Sequence, residues 1–240
     1  MSKNLLLATL PTEEKERLRP FLEPVTMEFK QVLVEMDKPI YHVWFPDNCV
    51  TSTVVDTPDG STLEVGLMGI EGMVGLSLLA GEETSNSTVI AQVPGAGTRM
   101  RADHFMKQVV GKGGPLFRLL LRYTNAFMGM IAQSGACNTL HPLEERLCRW
   151  ILMTHDRVQQ DQFPLTQDFL SMMLGVRRPT VSMTASMLKA GGLIRYTRGS
   201  VTVLDRQGME ASSCECYEII NRQLDKIFPG GWREHISAES

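Results

Sequence analysis

The 240-residue chain lacks a long uncharged apolar run, which is the feature that a membrane-spanning helix requires. Charged residues interrupt its apolar stretches, as Arg118 and Arg122 do on either side of Leu119. It also lacks a cationic N-terminal segment followed by an apolar run and a small-residue cleavage site. We therefore expect a cytoplasmic protein without a membrane partner. Its apolar content of 43% is enough for cores in more than one domain.

The chain also lacks the patterns that hold metals, phosphates or catalytic groups. Its five histidines form no HxH or HxxxH pair, and it has no GxxxxGK[ST] loop. None of its cysteines lies in the first 48 residues, and its CxC pair is too short for a CxxC redox site. The cysteines are Cys49, Cys137, Cys148, Cys214 and Cys216. We expect no enzymatic activity, no cofactor and no metal, with reduced structural or surface thiols; a thiol switch is the alternative.

The overall charge is nearly balanced, but one segment is strongly basic. The net charge of the chain is −3, whereas residues 177–206 contain six basic residues and one acidic residue. A basic segment on an otherwise acidic protein directs phosphate binding to one face. This distribution indicates a nucleic-acid partner.

Residues 165–194, LTQDFLSMMLGVRRPTVSMTASMLKAGGLI, are predicted to form two helices joined by a tight turn. Thr166 is a suitable N-cap for the first helix, and Gly175 is suited to end it. Pro179 falls in the first turn of the second helix, where its missing N–H costs nothing. Apolar side chains at helical spacing are predicted to bury one side of both helices. They are Phe169, Leu170, Met173, Leu174, Val181, Ala185 and Leu188.

The second helix is predicted to turn polar side chains outward, namely Arg177, Arg178, Thr180, Ser182 and Thr184. Two arginines oppose the positive end of the helix dipole, so they are poorly placed for stability alone. A nearby polyanion reverses that cost, which favours DNA contact over a merely solvated helical hairpin.

A β-hairpin is predicted directly after these helices, over residues 193–204, LIRYTRGSVTVL. Its tip, residues 196–200, carries Arg198. We expect this arginine to contact phosphate, which positions a protein on DNA without reading its sequence.

Together these motifs resemble the winged helix-turn-helix of the Crp-Fnr superfamily of bacterial transcription regulators, and the resemblance extends over nearly the whole chain. It implies an α+β fold: a cupin-like β-roll sensor domain over residues 1–115, a dimerisation helix and hinge over 116–140, and a winged helix-turn-helix domain over 141–240. It implies double-stranded DNA and a second copy of the chain as partners, and suggests RNA polymerase as another. The expected DNA-binding residues are Thr166, Arg177, Arg178, Thr180, Ser182 and Arg198.

The N-terminal half fits the β-roll that the resemblance implies. Short apolar runs between turns predict strands at residues 31–34, 41–45, 51–55 and 62–67. Glycine then recurs at positions 66, 69, 72, 75 and 81, a density that suits tight corners in a sheet and excludes a helix.

The ligand pocket of this roll departs from the superfamily's pattern. Its cyclic-nucleotide binders place Gly-Glu before a short helix and Arg-Ser or Arg-Thr after it. Here Gly75 and Ser87 match, but Leu76 replaces the glutamate and Asn86 replaces the arginine, with Thr88 following. An amide cannot reproduce the bidentate grip of a guanidinium on phosphate. We predict a degenerate pocket that does not respond to cyclic AMP, with an unidentified effector if any.

A long helix after Pro115 is predicted to carry a dimer seam. Apolar residues recur at alternating spacings of four and three, as in a coiled coil. They are Leu116, Leu120, Tyr123, Phe127 and Met130, and the spacing continues to Ser134 and Cys137. A second apolar set, with Phe117, Leu121, Met128 and Ile131, is expected to pack on the same chain; a helix buried wholly in its own domain is the alternative.

The function predicted from these features is a homodimeric transcription regulator bound to a near-palindromic DNA site. Arg178 is expected to contact a guanine through its O6 and N7 atoms. The alternative is a ligand-binding or protein-interaction module whose winged helix contacts a protein. Residues 205–228 are expected to form one closing helix, and residues 230–240 a loose tail.

Overall fold

The computed structural model describes residues 2–58, 60, 62–197 and 199–237, and it confirms the α+β class. Helices α1 (Leu5–Ala8) and α2 (Thr12–Leu18) precede a β-roll. The strands of the roll are β1 (Glu23–Met27), β2 (Val32–Val34), β3 (His42–Pro46), β4 (Val50–Asp56), β5 (Thr62–Met68), β6 (Thr88–Val93) and β7 (Gly95–Arg101). All four predicted strands are present, whereas β1, β6 and β7 were not predicted.

The roll consists of two antiparallel sheets that share one hydrophobic core. One has the strand order β1-β7-β3, and the other has the order β2-β6-β4-β5. A 3-10 helix, Leu76–Ala80, separates β5 from β6 and lies between two glycines in the left-handed conformation, Gly75 and Gly81. Without a Cβ, glycine adopts this conformation at little cost, so the pair sets both ends of the short helix.

Helices follow the roll and end in a second small sheet. Helix α3 (Ala102–Phe105) continues into a π turn at Met106–Val110, and α4 (Pro115–Leu140) and α5 (Leu143–Val158) come next. The C-terminal part contains β8 (Gln162–Pro164), α6 (Gln167–Leu174), α7 (Arg178–Ala190), β9 (Ile194–Thr197), β10 (Ser200–Val203), α8 (Arg206–Ala211), α9 (Cys216–Asp225) and α10 (Trp232–Ser237). None of the described helices is both long and apolar enough to cross a membrane.

Helix α4 packs its main apolar face against the roll of its own chain. A Cβ on Gly66 of β5 would lie 2.6 Å from Cζ of Phe127, so glycine allows the ring to approach the sheet. The side chains assigned to the dimer seam, Leu116, Leu120, Tyr123, Phe127 and Met130, are at most 7% exposed in the single chain. That assignment is wrong, because these side chains already fill the core and leave nothing for a partner.

The solvent-facing stripe of α4 has the same heptad spacing but different residues. Its members are Leu121, Asn125, Met128, Ala132, Gly135 and Thr139. Leu121 and Met128 are 46% and 57% exposed. Leu121 and Met128 belong to the second apolar set, which was expected to pack on the same chain, but they lie on the solvent-facing stripe of α4.

Helix α5 joins the roll to the C-terminal part and is buried on nearly all sides. Arg157 donates two hydrogen bonds, of 2.9 and 2.7 Å, to Oε1 of Glu71, and both side chains are fully buried. Trp150 Nε1 donates to Oε1 of Glu64 at 2.8 Å. These bonds fix the C-terminal part against the sheet.

The C-terminal stretch differs from its prediction in two ways. The expected single helix is interrupted after Ala211 and resumes at Cys216 as α9. Trp232 of α10 is fully buried, with the Arg157 guanidinium 5.0 Å from its ring centroid. The expected loose tail is therefore wrong as far as residue 237, because a large aromatic anchor holds it to the core.

Candidate nucleic-acid interface

The two helices of the predicted motif form as expected around a tight turn. Thr166 caps α6, since its hydroxyl accepts from the Phe169 N–H at 3.2 Å. Gly175 ends α6 with a φ of 64°, in the left-handed region that favours glycine. The side chains predicted to be buried are in the core, from Phe169 in α6 to Leu188 in α7.

The start of α7 presents its first polar residues to solvent. Arg177 is the N-cap, Pro179 occupies the first turn, and Arg177, Arg178 and Thr180 are exposed. Ser182 is half-buried because its hydroxyl donates to Oε1 of Gln167 in α6. Thr184 was expected to face outward, but it is 5% exposed and its hydroxyl donates to the Thr180 carbonyl at 3.0 Å.

Arg178 has an acidic neighbour across the turn. Its Nε lies 3.2 Å from Oδ1 of Asp168, and the side chains are 62% and 70% exposed. An ion pair this exposed contributes little to stability. It orients the guanidinium at the motif's outer surface, where a nucleic acid can compete with the carboxylate for it.

Strands β9 and β10 form the predicted hairpin of the wing, and β8, which was not predicted, pairs with the other side of β10. The Tyr196 hydroxyl donates to the Leu165 carbonyl at 2.7 Å, which holds the hairpin against the start of α6. Burial raises the pKa of Tyr196 to about 12, so this hydroxyl remains a donor at neutral pH. Arg195 is exposed on β9, and Arg198 lies outside the described residues.

Two features of this surface were not recognised in the sequence. Met183 and Met187 are 62% and 52% exposed on α7, so the helix carries an apolar edge beside its cations. Arg206, counted with the basic segment, instead pairs with Asp156 at 2.6 Å and Glu210 at 3.0 Å. Its charge is compensated inside the protein, so the segment has less free positive charge than its composition indicates.

The residues of the predicted ligand pocket surround the 3-10 helix of the roll. Gly75 is buried at its start, Leu76 is half-buried in its first turn, and Asn86 is exposed beyond it. Ser87 accepts at its carbonyl from the Ser85 hydroxyl at 2.6 Å, and the Thr88 hydroxyl accepts from the Met36 N–H at 3.2 Å. No cation takes the place of the missing arginine among these residues.

Three of the five cysteines lie together with a histidine. All five are free and buried, and Cys137, Cys214 and Cys216 lie together with His141 at the end of α4. The spacing of four residues between Cys137, in the last turn of α4, and His141, directly after that helix, was the available sequence signal. The cluster contains neither a histidine pair nor a CxxC motif.

Comparison with known proteins agrees with this architecture. Residues 145–212 match the family model of the Crp-like helix-turn-helix domain. FixK2 from Bradyrhizobium japonicum is 14% identical with a TM-score of 0.66, covering 80% of this chain and 98% of its own. A CRP-family transcriptional regulator from Thermus thermophilus is 14% identical with a TM-score of 0.63, covering 79% and 96%. The c-di-GMP-responsive regulator CLP from Xanthomonas campestris is 12% identical with a TM-score of 0.60, covering 81% and 100%. No curated protein sequence matches the chain.

The fold and the matched domain define a protein in which a β-roll is joined through a long helix to a Crp-like helix-turn-helix domain. Residues 145–212 belong to the Crp-like helix-turn-helix domain family, and the fold of the chain is similar to that of solved Crp-Fnr regulators.

Proposed function

We propose that the protein binds double-stranded DNA as a homodimer at a near-palindromic site. The observation that supports this most is the exposed start of α7, with Arg177, Arg178 and Thr180 held on a rigid helical pair beside a wing. In this arrangement the α7 helices of two subunits enter major grooves about one helical turn apart.

Single residues then have distinct roles. The forked guanidinium of Arg178 matches the O6 and N7 acceptors of guanine. Arg177, at the N-cap, and Arg195, on the wing, are exposed cations, and we propose that they neutralise phosphates. The exposed Met183 side chain can pack against the methyl group of a thymine.

The dimer surface that we propose is the exposed stripe of α4. Leu121, Asn125, Met128, Ala132 and Gly135 follow spacings of four and three, which keep one face aligned between two helices. Ala132 and Gly135 are small enough for close approach of the helix backbones. This stripe replaces the buried seam expected from the sequence.

The effector of the roll is proposed not to be cyclic AMP, because Leu76 and Asn86 cannot bind a ribose hydroxyl and a cyclic phosphate as glutamate and arginine do. Calorimetric titration of the full-length protein with cyclic AMP should show no binding up to millimolar concentration. Saturable micromolar binding would contradict this part of the proposal.

DNA binding is tested by selecting bound fragments from a genomic library and measuring their affinity by fluorescence anisotropy at several salt concentrations. We expect affinity to fall steeply with salt, since several phosphates are neutralised. Arg177→Ala should lower affinity for all sequences and reduce the salt slope by about 1. Arg178→Ala should cost about 1–3 kcal/mol at one base pair and relax selectivity there.

Arg19→Ala, at an exposed arginine preceding the roll, is the matched control. It should leave the DNA affinity, its salt dependence and its sequence selectivity unchanged. Equal weakening of all sequences by Arg178→Ala would make Arg178 a phosphate contact. Absence of salt-dependent binding to any fragment would favour the alternative in which the winged helix contacts a protein.

A further inference from the structure

Three thiols and one imidazole converge where α4 meets the segment before α9. Cys137 lies in the last turn of α4 and His141 directly follows that helix. Cys214 and Cys216 come from the chain that enters α9, with Cys216 as its first residue. The potential ligand atoms of all four residues lie within 4.8 Å of one another.

The separations between these atoms match a single tetrahedral ion. Sγ of Cys137 lies 3.5 Å from Sγ of Cys214, and Sγ of Cys216 lies 3.6 Å from Nδ1 of His141. A tetrahedral zinc site with ordinary bond lengths has edges of about 3.8 Å between sulfurs and about 3.6 Å between sulfur and nitrogen. The first distance is far too long for a disulfide bond, in which the sulfurs are about 2.05 Å apart.

Neighbouring polar groups orient these ligands. Oε2 of Glu215 lies 3.3 Å from Nε2 of His141, on the ring nitrogen that faces away from the thiols. A carboxylate in this position holds the proton on Nε2 and leaves the Nδ1 lone pair free for a metal. Gln133 Nε2 donates to Sγ of Cys216 at 3.1 Å, a bond that favours a thiolate.

Two buried cations lie beside the same cluster. Arg146 and Arg149 are 8% and 4% exposed, and the Nε atom of each has no hydrogen-bond partner in the described part of the chain. Arg146 Nη2 donates to the Leu174 carbonyl, and Arg149 Nη1 contacts Sδ of Met153, so neither of these bonds compensates charge. Both guanidinium groups act electrostatically on the thiol of Cys137.

A buried cation is costly unless an opposite charge lies nearby. A divalent ion with three thiolates and a neutral imidazole carries one net negative charge. Such a group compensates part of the charge of the two arginines, whereas three neutral thiols do not.

We propose that Cys137, His141, Cys214 and Cys216 bind one Zn²⁺ ion in a closed structural site. On binding, the three thiols release their protons to solvent and form Zn–S bonds, and His141 binds through Nδ1. The ion then connects the end of α4 to the start of α9, next to the junction between α4 and α5. This proposal does not depend on DNA binding.

The test begins with the full-length protein produced in zinc-containing medium. Elemental analysis should find about one zinc per chain. After removal of the metal with a chelator under reducing conditions, titration with Co²⁺ should produce the visible bands of tetrahedral cobalt and thiolate-to-cobalt charge-transfer absorption. The thermal unfolding temperature should fall on chelation and recover with zinc, because the ion binds the folded chain.

The variants Cys216→Ser and His141→Ala should each lower zinc content and weaken the cobalt spectrum. Cys148→Ser, which removes a buried cysteine outside the cluster, is the matched control. It should keep the zinc content and the cobalt spectrum of the parent protein. The cobalt spectrum of the unmodified chain remains decisive even if a variant fails to fold.

Three results would overturn the proposal. The first is protein with almost no zinc and no thiolate–cobalt absorption. The second is iron with inorganic sulfide in the isolated protein. The third is metal-free native protein in which peptide mapping finds a Cys137–Cys214 disulfide.

Discussion

Two buried carboxylates connect the β-roll to α5, and they differ in how their charge is compensated. Glu71 faces the Arg157 guanidinium at hydrogen-bond distance. Glu64 accepts a hydrogen bond from the neutral indole of Trp150. The Arg149 and Arg157 cations lower the pKa of Glu64, but by less than burial raises it. Burial therefore raises the pKa of Glu64 from 4.5 to about 7, because desolvation disfavours the carboxylate form.

The raised pKa makes stability depend on pH in a definite direction. Between about pH 4.5 and 7 the folded state keeps a proton on Glu64 that the unfolded state has released. The contribution of Glu64 to the free energy of unfolding should therefore be complete below that window and fall by about 3 kcal/mol as pH rises through it. Urea unfolding at a series of pH values measures this loss.

Glu64→Gln is the matched variant, since the amide oxygen can still accept from Trp150 but does not titrate. The difference in unfolding free energy between variant and parent should change across the window and stay constant above it. A constant difference from pH 4 to 8 would show that Glu64 is not the titrating group.

Individual residues of the interface were predictable where the local pattern determines their environment. Arg177, Arg178 and Thr180 could be placed outward from helical periodicity and a cap. Arg206 could not, because its partner Asp156 comes from α5. Thr184 bonds within its own helix and was assigned to the wrong face of it. The cluster of Cys137, His141 and the two C-terminal cysteines depends on packing between elements far apart in sequence.

At the scale of elements, α4 carries two heptad stripes, and composition does not show which one meets the roll. The more apolar stripe is buried in its own chain, as expected when the nearest large apolar surface is the neighbouring sheet. Strands β1, β6 and β7 were missed because their alternation is interrupted by proline, glycine and polar residues. Helix α10 was missed because its stability comes from Trp232 and its tertiary contacts.

The exposed stripe of α4 gives a prediction for assembly. Met128→Glu should raise the dimer dissociation constant by at least about tenfold, about 1.4 kcal/mol, because it places a charge in the apolar centre of the proposed seam. Sedimentation equilibrium over a range of protein concentrations measures this change.

Met36→Glu, at a methionine 37% exposed near the roll, is the control and should leave association unchanged. An unaltered dimer in Met128→Glu would exclude this stripe as the interface. A monomeric parent protein at micromolar concentration would remove the dimer from the proposed function.

At the scale of the whole molecule, the roll and the helix-turn-helix part are joined by more than a linker. Glu71 of the roll and Trp232 of the C-terminal helix both contact Arg157 of α5. Gln92 of β6 donates to the Thr154 hydroxyl of α5 at 3.3 Å. Independent domain motion is the usual expectation unless such an interface is large and apolar, and here α5 is buried on nearly all sides.

We therefore expect the chain to unfold as one cooperative unit. The urea unfolding transition measured by far-ultraviolet circular dichroism should coincide with the transition measured by tryptophan fluorescence. Trp44 reports on the roll, while Trp150 and Trp232 report on α5 and α10.

Glu71→Gln should lower the unfolding free energy by about 3–5 kcal/mol, because it leaves the buried Arg157 without its charge partner. It should shift the transitions of both signals together. Glu23→Gln, which removes the exposed partner of the half-buried Arg99, should cost at most about 1 kcal/mol. Two separated transitions in the parent protein would show instead that the two parts unfold independently.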